Sequence, residues 1–349
     1  MYTIKDIARE LHLSPSTVSR ALNGNPLISL KTRKKVAECA RNHGYVPDRN
    51  ARNLVTRSNR TVGFMIPDIS DSFFSYSAAG VEEVLYRNGY EVVYCSTNRE
   101  LGRVEEFLIR AQEYRYSGVF LTPDWWNEEL IELVHKIGLP VVSLRRKTPQ
   151  TTPEIPYVDS DHYGGCKEAA EYLIAQGHRE IGLICMNTQI ELERRQGYED
   201  TVARHGLRPH IEFSPFSTNR IEIGFQAAKT MLEREPEISA IIATGDKQAL
   251  GAMEYFDRAG LRTPEDISLI GCDDQAEGRV FSIQLSTVQQ AVNELGIQAA
   301  EMMMRMIADP AYTPSSVILK SKLLLRRTTG PRKGAETVQR QVNGASSVE

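Results

Sequence analysis

From Thr61 onward, short apolar runs alternate with stretches of helical periodicity, and the alternation occurs twice. Val62 to Ile66 precedes Phe73 to Tyr86, Val92 to Cys95 precedes Val104 to Tyr114, and Val119 to Leu121 precedes Leu130 to Ile137, with Val141 to Leu144 closing the first set. A second set runs through Gly165 to Ala175, Ile181 to Cys185, Gly197 to His205, Ile238 to Ala243, Leu250 to Ala259 and Ile267 to Cys272. Strands separated by crossover helices dictate parallel sheets with helices on both faces. Val62-Gly63-Phe64-Met65-Ile66 has an echo in Ile181-Gly182-Leu183-Ile184-Cys185, so the pattern reads as two similar α/β subdomains.

What precedes Thr61 is chemically different. Residues 1–60 carry 12 basic and 4 acidic side chains, a charge of +8, whereas the remaining residues carry 30 basic and 41 acidic ones, a charge of −11. One end is set for a polyanion and the bulk is not. No apolar run approaches the roughly 18 residues of a membrane span. The opening Met1-Tyr2-Thr3-Ile4-Lys5-Asp6 lacks the basic start, apolar run and cleavage site of a signal peptide, so a cytoplasmic, nucleoid-associated protein with no membrane partner is expected. The five cysteines are odd in number, far apart and never in a C-x-x-C spacing, which reads as reduced core residues with neither disulfides nor a metal.

Within the basic segment, Thr3 precedes the pattern Ile4, Ile7, Ala8, Leu11, and its hydroxyl is placed to cap a first short helix. Ser14-Pro15 is a cap followed by proline at the first helical position, and Val18, Ala21 and Leu22 give the second helix its apolar face. Asn23-Gly24-Asn25-Pro26 ends that helix, Ser29 caps again, and Val36, Ala37 and Ala40 mark a third that stops near His43-Gly44. With the apolar face turned inward, Ser16, Thr17, Ser19 and Arg20 are left outside. Helix-turn-helix modules set such N-terminal residues of their second helix against base edges, where arginine can fork onto guanine. Arg20 is the strongest base-contact candidate.

Three segments, Thr3-Ile4-Lys5-Asp6-Ile7-Ala8, Ser14-Pro15-Ser16-Thr17-Val18-Ser19-Arg20-Ala21-Leu22-Asn23 and Gly44-Tyr45-Val46-Pro47, carry a resemblance to LacI/GalR-type transcription regulators that extends to about Arg327. The resemblance implies an N-terminal all-α helix-turn-helix head on a two-lobed α/β core like the periplasmic binding proteins. By it, Ser16, Thr17 and Arg20 read the major groove, while Thr3, Ser14, Asn23, Asn25, Ser29 and Tyr45 hold phosphates or cap the helices that do. It also makes the polar, basic stretch Asp48 to Arg60 a hinge helix ordered on the operator, with Leu54 wedged into the minor groove to bend the DNA. The implied partners are a pseudo-palindromic double-stranded operator, a second copy of the chain and a small effector, carbohydrate-like by preference; no cofactor is implied.

In open α/β sheets, ligands bind beyond the carboxyl ends of strands, so the loops after the strands should converge on a cleft. Those loops hold Asp68, Phe73, Phe74, Trp125, Asp161, Phe216, Asp246 and Asp273. By resemblance, Arg194 in Arg194-Arg195-Gln196-Gly197 and Asp273 are the foremost effector contacts. Gly245 departs from the asparagine that many sugar-responsive relatives carry, which leaves the ligand class open. The boundaries read from these patterns are a head over 1–47, a linker over 48–60, a core over 61–327 and a disordered tail over 328–349. Within the core, the first lobe spans about 61–158 and 288–312 and the second about 159–287 and 313–327, with one late strand near Val317 to Leu325 crossing back to the first.

An enzyme requires a constellation, and the chain holds no G-x-S-x-G, phosphate-binding loop, H-E-x-x-H or dinucleotide fingerprint. Three rivals share the architecture: a solute-binding protein, which the basic head argues against; a regulator with a purine-like corepressor; and one answering a phosphorylated protein partner.

Overall fold

The computed structural model describes residues 2–46, 59–69, 71–123, 126–145 and 154–333. The chain divides into two compact units between Asn59 and Arg60. In the first, α1 (Ile4–Glu10), α2 (Pro15–Leu22) and α3 (Leu30–Asn42) enclose Ile7, Ala8, Val18, Ala21, Val36, Cys39 and Ala40. That is a small core, so the ends of its helices matter to its stability. The Ser14 hydroxyl accepts the Thr17 amide at 3.1 Å and the Ser29 hydroxyl accepts the Thr32 amide at 3.2 Å, as the sequence suggests. Thr3 works differently: its hydroxyl and its own amide both donate to the Asp6 carboxylate, at 2.6 and 3.0 Å, so one Asp6 oxygen accepts both donors at this end. Gly24 ends α2 at φ 69°, a left-handed conformation that a glycine adopts without strain.

The second unit is the duplicated α/β body. Its first lobe contains β1 (Thr61–Ile66), α4 (Ser72–Arg87), β2 (Glu91–Ser96), α5 (Leu101–Glu113), β3 (Gly118–Leu121), α6 (Glu128–Ile137), β4 (Val141–Leu144) and β5 (Tyr157–Ser160). The chain then enters the second lobe with α7 (His162–Ala175), β6 (Ile181–Met186), α8 (Gln189–Arg204), β7 (His210–Ser214), α9 (Arg220–Arg234), β8 (Ala240–Ala243), α10 (Asp246–Arg258), β9 (Ser268–Cys272) and β10 (Ser286–Gln289). It returns to the first lobe through α11 (Val292–Ala308) and β11 (Val317–Leu319), and ends in the second with β12 (Lys322–Leu324).

The sheet orders are β11-β5-β4-β3-β1-β2 and β12-β10-β9-β8-β6-β7. Every pairing is parallel except β10 with β12. The central strands β1, β3, β4, β6, β8 and β9 are buried nearly throughout, which is why they read as continuous apolar runs. Phe64, Phe120, Val142 and Leu144 join α4 and α11 in one core, while Leu183, Ile242, Ile270 and Tyr198 lie in the other lobe's. Gly80 and Gly296 let α4 and α11 touch backbone to backbone: a Cβ on either would overlap a carbonyl oxygen of the other helix.

Three boundaries differ from the sequence reading. The late strand is two strands, because Val317–Leu319 pairs with β5 in one sheet and Lys322–Leu324 with β10 in the other, and no single strand can serve both. The range 313–327 is therefore divided between the lobes, with the Ser321 hydroxyl tied to the Asp161 carbonyl at 2.9 Å where the chain crosses. The crossing into α11 falls at Gln290 and Ala291, after β10, and not at 288. Residues 328–333 are structured, and the expectation of a disordered tail from 328 fails there. Thr328 is buried and exchanges hydrogen bonds of 2.7 Å with Leu269, and Gly330 accepts from the Ser268 hydroxyl. Their polar side chains hid an added edge of hydrogen bonds that hydropathy does not report.

Candidate functional site

The carboxyl ends of both sheets face one cavity of about 60 Å³, which lies between the loops after β1, β2, β4, β7, β8 and β9. The first lobe contributes Asp68, Asp71, Arg99 and Arg145; the second contributes Arg220, Asp246, Lys247 and Asp273. The lobes touch across it. Arg145 Nη2 stands 3.9 Å from Asp273 Oδ1, and the Arg99 guanidinium lies 5.0 Å from the Phe216 ring centre.

Asp273 is held from behind. Arg194, on α8 and almost completely buried, donates to Asp273 Oδ1 at 3.0 Å and to the Thr244 carbonyl, and Gln290 donates to the same Asp273 oxygen. Arg194 Nη2 also sits 3.4 Å from His162 Nδ1. A guanidinium can only donate, so that ring nitrogen is the acceptor, and the proton rests on Nε2, which faces Asp159 at 3.1 Å. Burial pushes His162 below the ordinary imidazole range, consistent with a neutral ring. His162 and Gln290 stand at two places where the chain passes between lobes, so the arginine–carboxylate pair is fixed to the crossings themselves.

Asp246 sits on the cavity wall but is only 1 % exposed, and its oxygens accept from the Gln275 amide at 2.6 Å and the Thr287 hydroxyl at 2.7 Å. Burial, then the neighbouring Asp273 charge, push its carboxyl up to about 8 against the opposing effect of those donors, so at neutral pH it is mostly uncharged. Asp274 faces the other way: Arg279 at 2.8 Å and Arg326 neutralise it, and the Gln289 amide donates a further hydrogen bond. The next residue along the chain is thus a strut between the strand end and the final segment.

Arg145 is the exception among these charges. Its Nε is buried without a hydrogen-bond partner, no described residue accepts a hydrogen bond from its guanidinium, and its plane lies 3.9 Å from the Phe73 ring centre. Both Arg145 (φ 62°) and Asp273 (φ 111°) adopt left-handed backbone conformations, which cost a non-glycine residue on the order of 1–3 kcal/mol. The strain is placed where the two lobes look at each other.

In the head, Ser16 and Thr17 each bring a hydroxyl within 2.8 Å of Ser14 Oγ, and Arg20 extends into solvent with no ion pair among the described residues. Asn23 is exposed at the end of α2, Asn25 accepts the Leu27 amide at 2.9 Å, and Tyr45 packs on the small core. The exposed end of α2 therefore presents hydroxyls and a guanidinium without an apolar residue between them.

Residues 3–48 match the model of the bacterial regulatory proteins of the lacI family, and residues 170–329 match a periplasmic binding protein-like domain. The chain is 30 % identical over 333 residues to the probable HTH-type transcriptional repressor ExuR of Bacillus subtilis, covering 93 % of this chain and 98 % of that one. It is 31 % identical to the ribose operon repressor of Haemophilus influenzae, covering 94 % and 98 %. This chain belongs to the LacI family. It is a DNA-binding transcriptional regulator. The lac repressor dimer, solved on its operator with an anti-inducer, superposes with a TM-score of 0.84 at 24 % identity, over 94 % of this chain and 99 % of that one, which establishes the shared fold.

For this LacI-family chain, the residues expected at the effector site separate into three groups. Asp68, Asp246 and Asp273 line the cavity, with Arg194 directly behind Asp273. Phe216 and Phe73 border it through arginines: each ring underlies one guanidinium, Arg99 or Arg145. Phe74 is buried in the first lobe's core, and Asp161 uses its carboxylate to cap α7 through the Gly164 amide at 2.7 Å, so both serve the scaffold and not the cavity. Trp125 and Leu54 fall outside the described residues. Sequence reasoning passed over Arg99, Arg145, Arg220 and Lys247. Arg145 follows β4 directly, so the rule that ligands sit at strand ends contained the signal, but it was applied to carboxylates and aromatics alone.

Proposed function

We propose that this regulator is a repressor that binds its operator as a homodimer and is released by a small polar, carbohydrate-like metabolite taken up between the lobes. The observation that carries the reading is the cavity at the convergent strand ends, where the Arg194–Asp273 pair from one lobe meets Arg145 from the other. A ligand that changes how those loops meet changes the relation of the lobes, and so the spacing of the linkers that lead to the two heads. Occupancy at one site then biases the other. Supporting the ligand class, a CelR regulator of the same fold was solved with cellobiose, at a TM-score of 0.71 and 24 % identity.

In this reading Ser16, Thr17 and Arg20 contact base edges in the major groove, and Thr3, Ser14, Asn23, Asn25, Ser29 and Tyr45 hold phosphates or the helices that reach them. Leu54 is the minor-groove wedge, and Leu54→Ala reduces DNA bending, read by FRET across the duplex, without altering ligand affinity. The protein acts in the cytoplasm, on the nucleoid, and does no chemistry on its ligand. A thermal-shift screen of sugars, sugar acids, phosphosugars and purines, repeated with operator, tests the reading. A compound that stabilises the free protein and weakens DNA binding supports it; purines alone giving that response would replace the carbohydrate with a nucleobase.

A further inference from the structure

Arg145 is a cation largely removed from water, with 12 % of its side chain exposed. A guanidinium offers five N–H donors, and desolvating it without acceptors is costly. Its nearest carboxylate, Asp273, is 3.9 Å away and already accepts from Arg194 at 3.0 Å and from Gln290. Two buried arginines thus share one aspartate. Arg145 instead lies over the face of Phe73, an interaction that tolerates a cation without satisfying its hydrogens. Burial pulls the Arg145 guanidinium below its ordinary range, as expected where the surroundings under-compensate a charge.

Two other arginines at the cavity are already paired. Arg194 is balanced by Asp273, and Arg220 by Glu191 at 3.2 Å. Arg145 remains the cation of this cavity whose guanidinium no described residue accepts from. A neutral polyol supplies hydroxyl acceptors but no charge. A phosphate monoester brings roughly −1.5 to −2 near neutral pH and would set that charge close to Asp68 and Asp71. A carboxylate brings one negative charge and two oxygens that match the planar fork of a guanidinium.

We propose that the ligand of this cleft is a sugar acid, a polyhydroxylated molecule with a single carboxylate that docks on Arg145, its hydroxyls being taken by Asp68 and the Asp273–Arg194 pair. The inference rests on the reading of the cleft as the effector site and narrows its ligand class. It assigns Arg145 as the residue that separates acids from neutral sugars.

Calorimetry on the full chain tests this with D-glucuronate, D-galacturonate and D-gluconate, the uncharged amides of the two uronates, D-glucose and D-galactose, and D-glucose 6-phosphate. The expected result is that one of the acids binds at least about thirtyfold more tightly than its amide or neutral parent, the scale of one charge-assisted hydrogen-bonded pair. Arg145→Gln is expected to erase that preference. The acid-versus-amide comparison in the unaltered protein decides the matter by itself if the variant does not fold. Equal affinity for amide and acid, or binding of the 6-phosphate in place of every carboxylate, overturns the sugar acid while leaving the cleft as an effector site. No binding by any compound in the panel overturns both readings.

Discussion

The two walls of the cleft are built to opposite standards. On the second lobe, each buried carboxylate is provided for: Asp274 by Arg279, Arg326 and Gln289, Glu191 by the Met186 amide, Thr244 and Arg220, Asp246 by the Gln275 amide and Thr287. On the first lobe, Arg145 rests on an aromatic ring with no hydrogen-bond acceptor among the described residues. Paired carboxylates hold the second wall in place, although its Gln275 Oε1 and Gln290 Oε1 are also buried without a partner, and an unsatisfied buried group stores a cost that a partner can relieve. The contrast teaches that one wall is preorganised and the other is completed by what it binds, which is how a ligand gains differential affinity for one lobe arrangement.

That contrast can be broken at several points. The largest effect is expected at Asp274: Asp274→Ala strands the Arg326 guanidinium and should lower unfolding stability by about 3 kcal/mol, the range for breaking a buried pair, read by urea denaturation. Arg279 adds little to that figure because half of its side chain is in water. A loss within about 0.5 kcal/mol, the range of ordinary surface substitutions, would mean that the second wall is not held by its ion network.

The opposite sign is expected on the first wall. Arg145→Met replaces an under-paired cation by an apolar chain of similar reach, and should raise the stability of the ligand-free protein by about 1 kcal/mol, because the desolvation cost disappears with the charge. Marked destabilisation instead would show that Arg145 is already satisfied.

Asp246 gives a pH signature. Its folded-state value, about 8, lies above the ordinary 3.8, so its contribution is fully present below the ordinary value and is lost as pH rises through about 8. Between pH 5 and pH 8 the unaltered protein should therefore lose thermal stability relative to Asp246→Asn, with the gap widening as pH rises. Parallel melting-temperature curves would place a charged carboxylate there. The smallest effect lies in the head: Ser14→Ala removes the cap of α2 and should cost about 1 kcal/mol, read as faster amide exchange confined to residues 4–42.

Much of this arrangement is legible in the residues. Helix caps at Ser14 and Ser29, the duplicated strand runs and the approach of Arg194 to Asp273, 79 positions apart, all follow from local pattern together with the family resemblance. What is not legible depends on partners that arrive from far along the chain. The protonation of Asp246 is decided by Asp273, Gln275 and Thr287, and the burial of Arg145 by Phe73 and the opposite lobe. Val317 to Leu325 looks like one strand because hydropathy does not record that Lys320 and Ser321 span the gap between two sheets. Asp161 and Asp246 both stand at the start of a helix, and only the folded structure separates a cap from a cavity wall.

The central claim is that occupancy of the cleft sets the grip of the head on DNA. Fluorescence anisotropy of a labelled duplex, selected from random sequence by the ligand-free protein and titrated with and without the saturating sugar acid, measures that coupling directly. The account predicts that the ligand weakens operator affinity by about tenfold or more, within the usual range for allosteric coupling. Superimposable titrations, with the ligand shown by calorimetry to be bound, would contradict it.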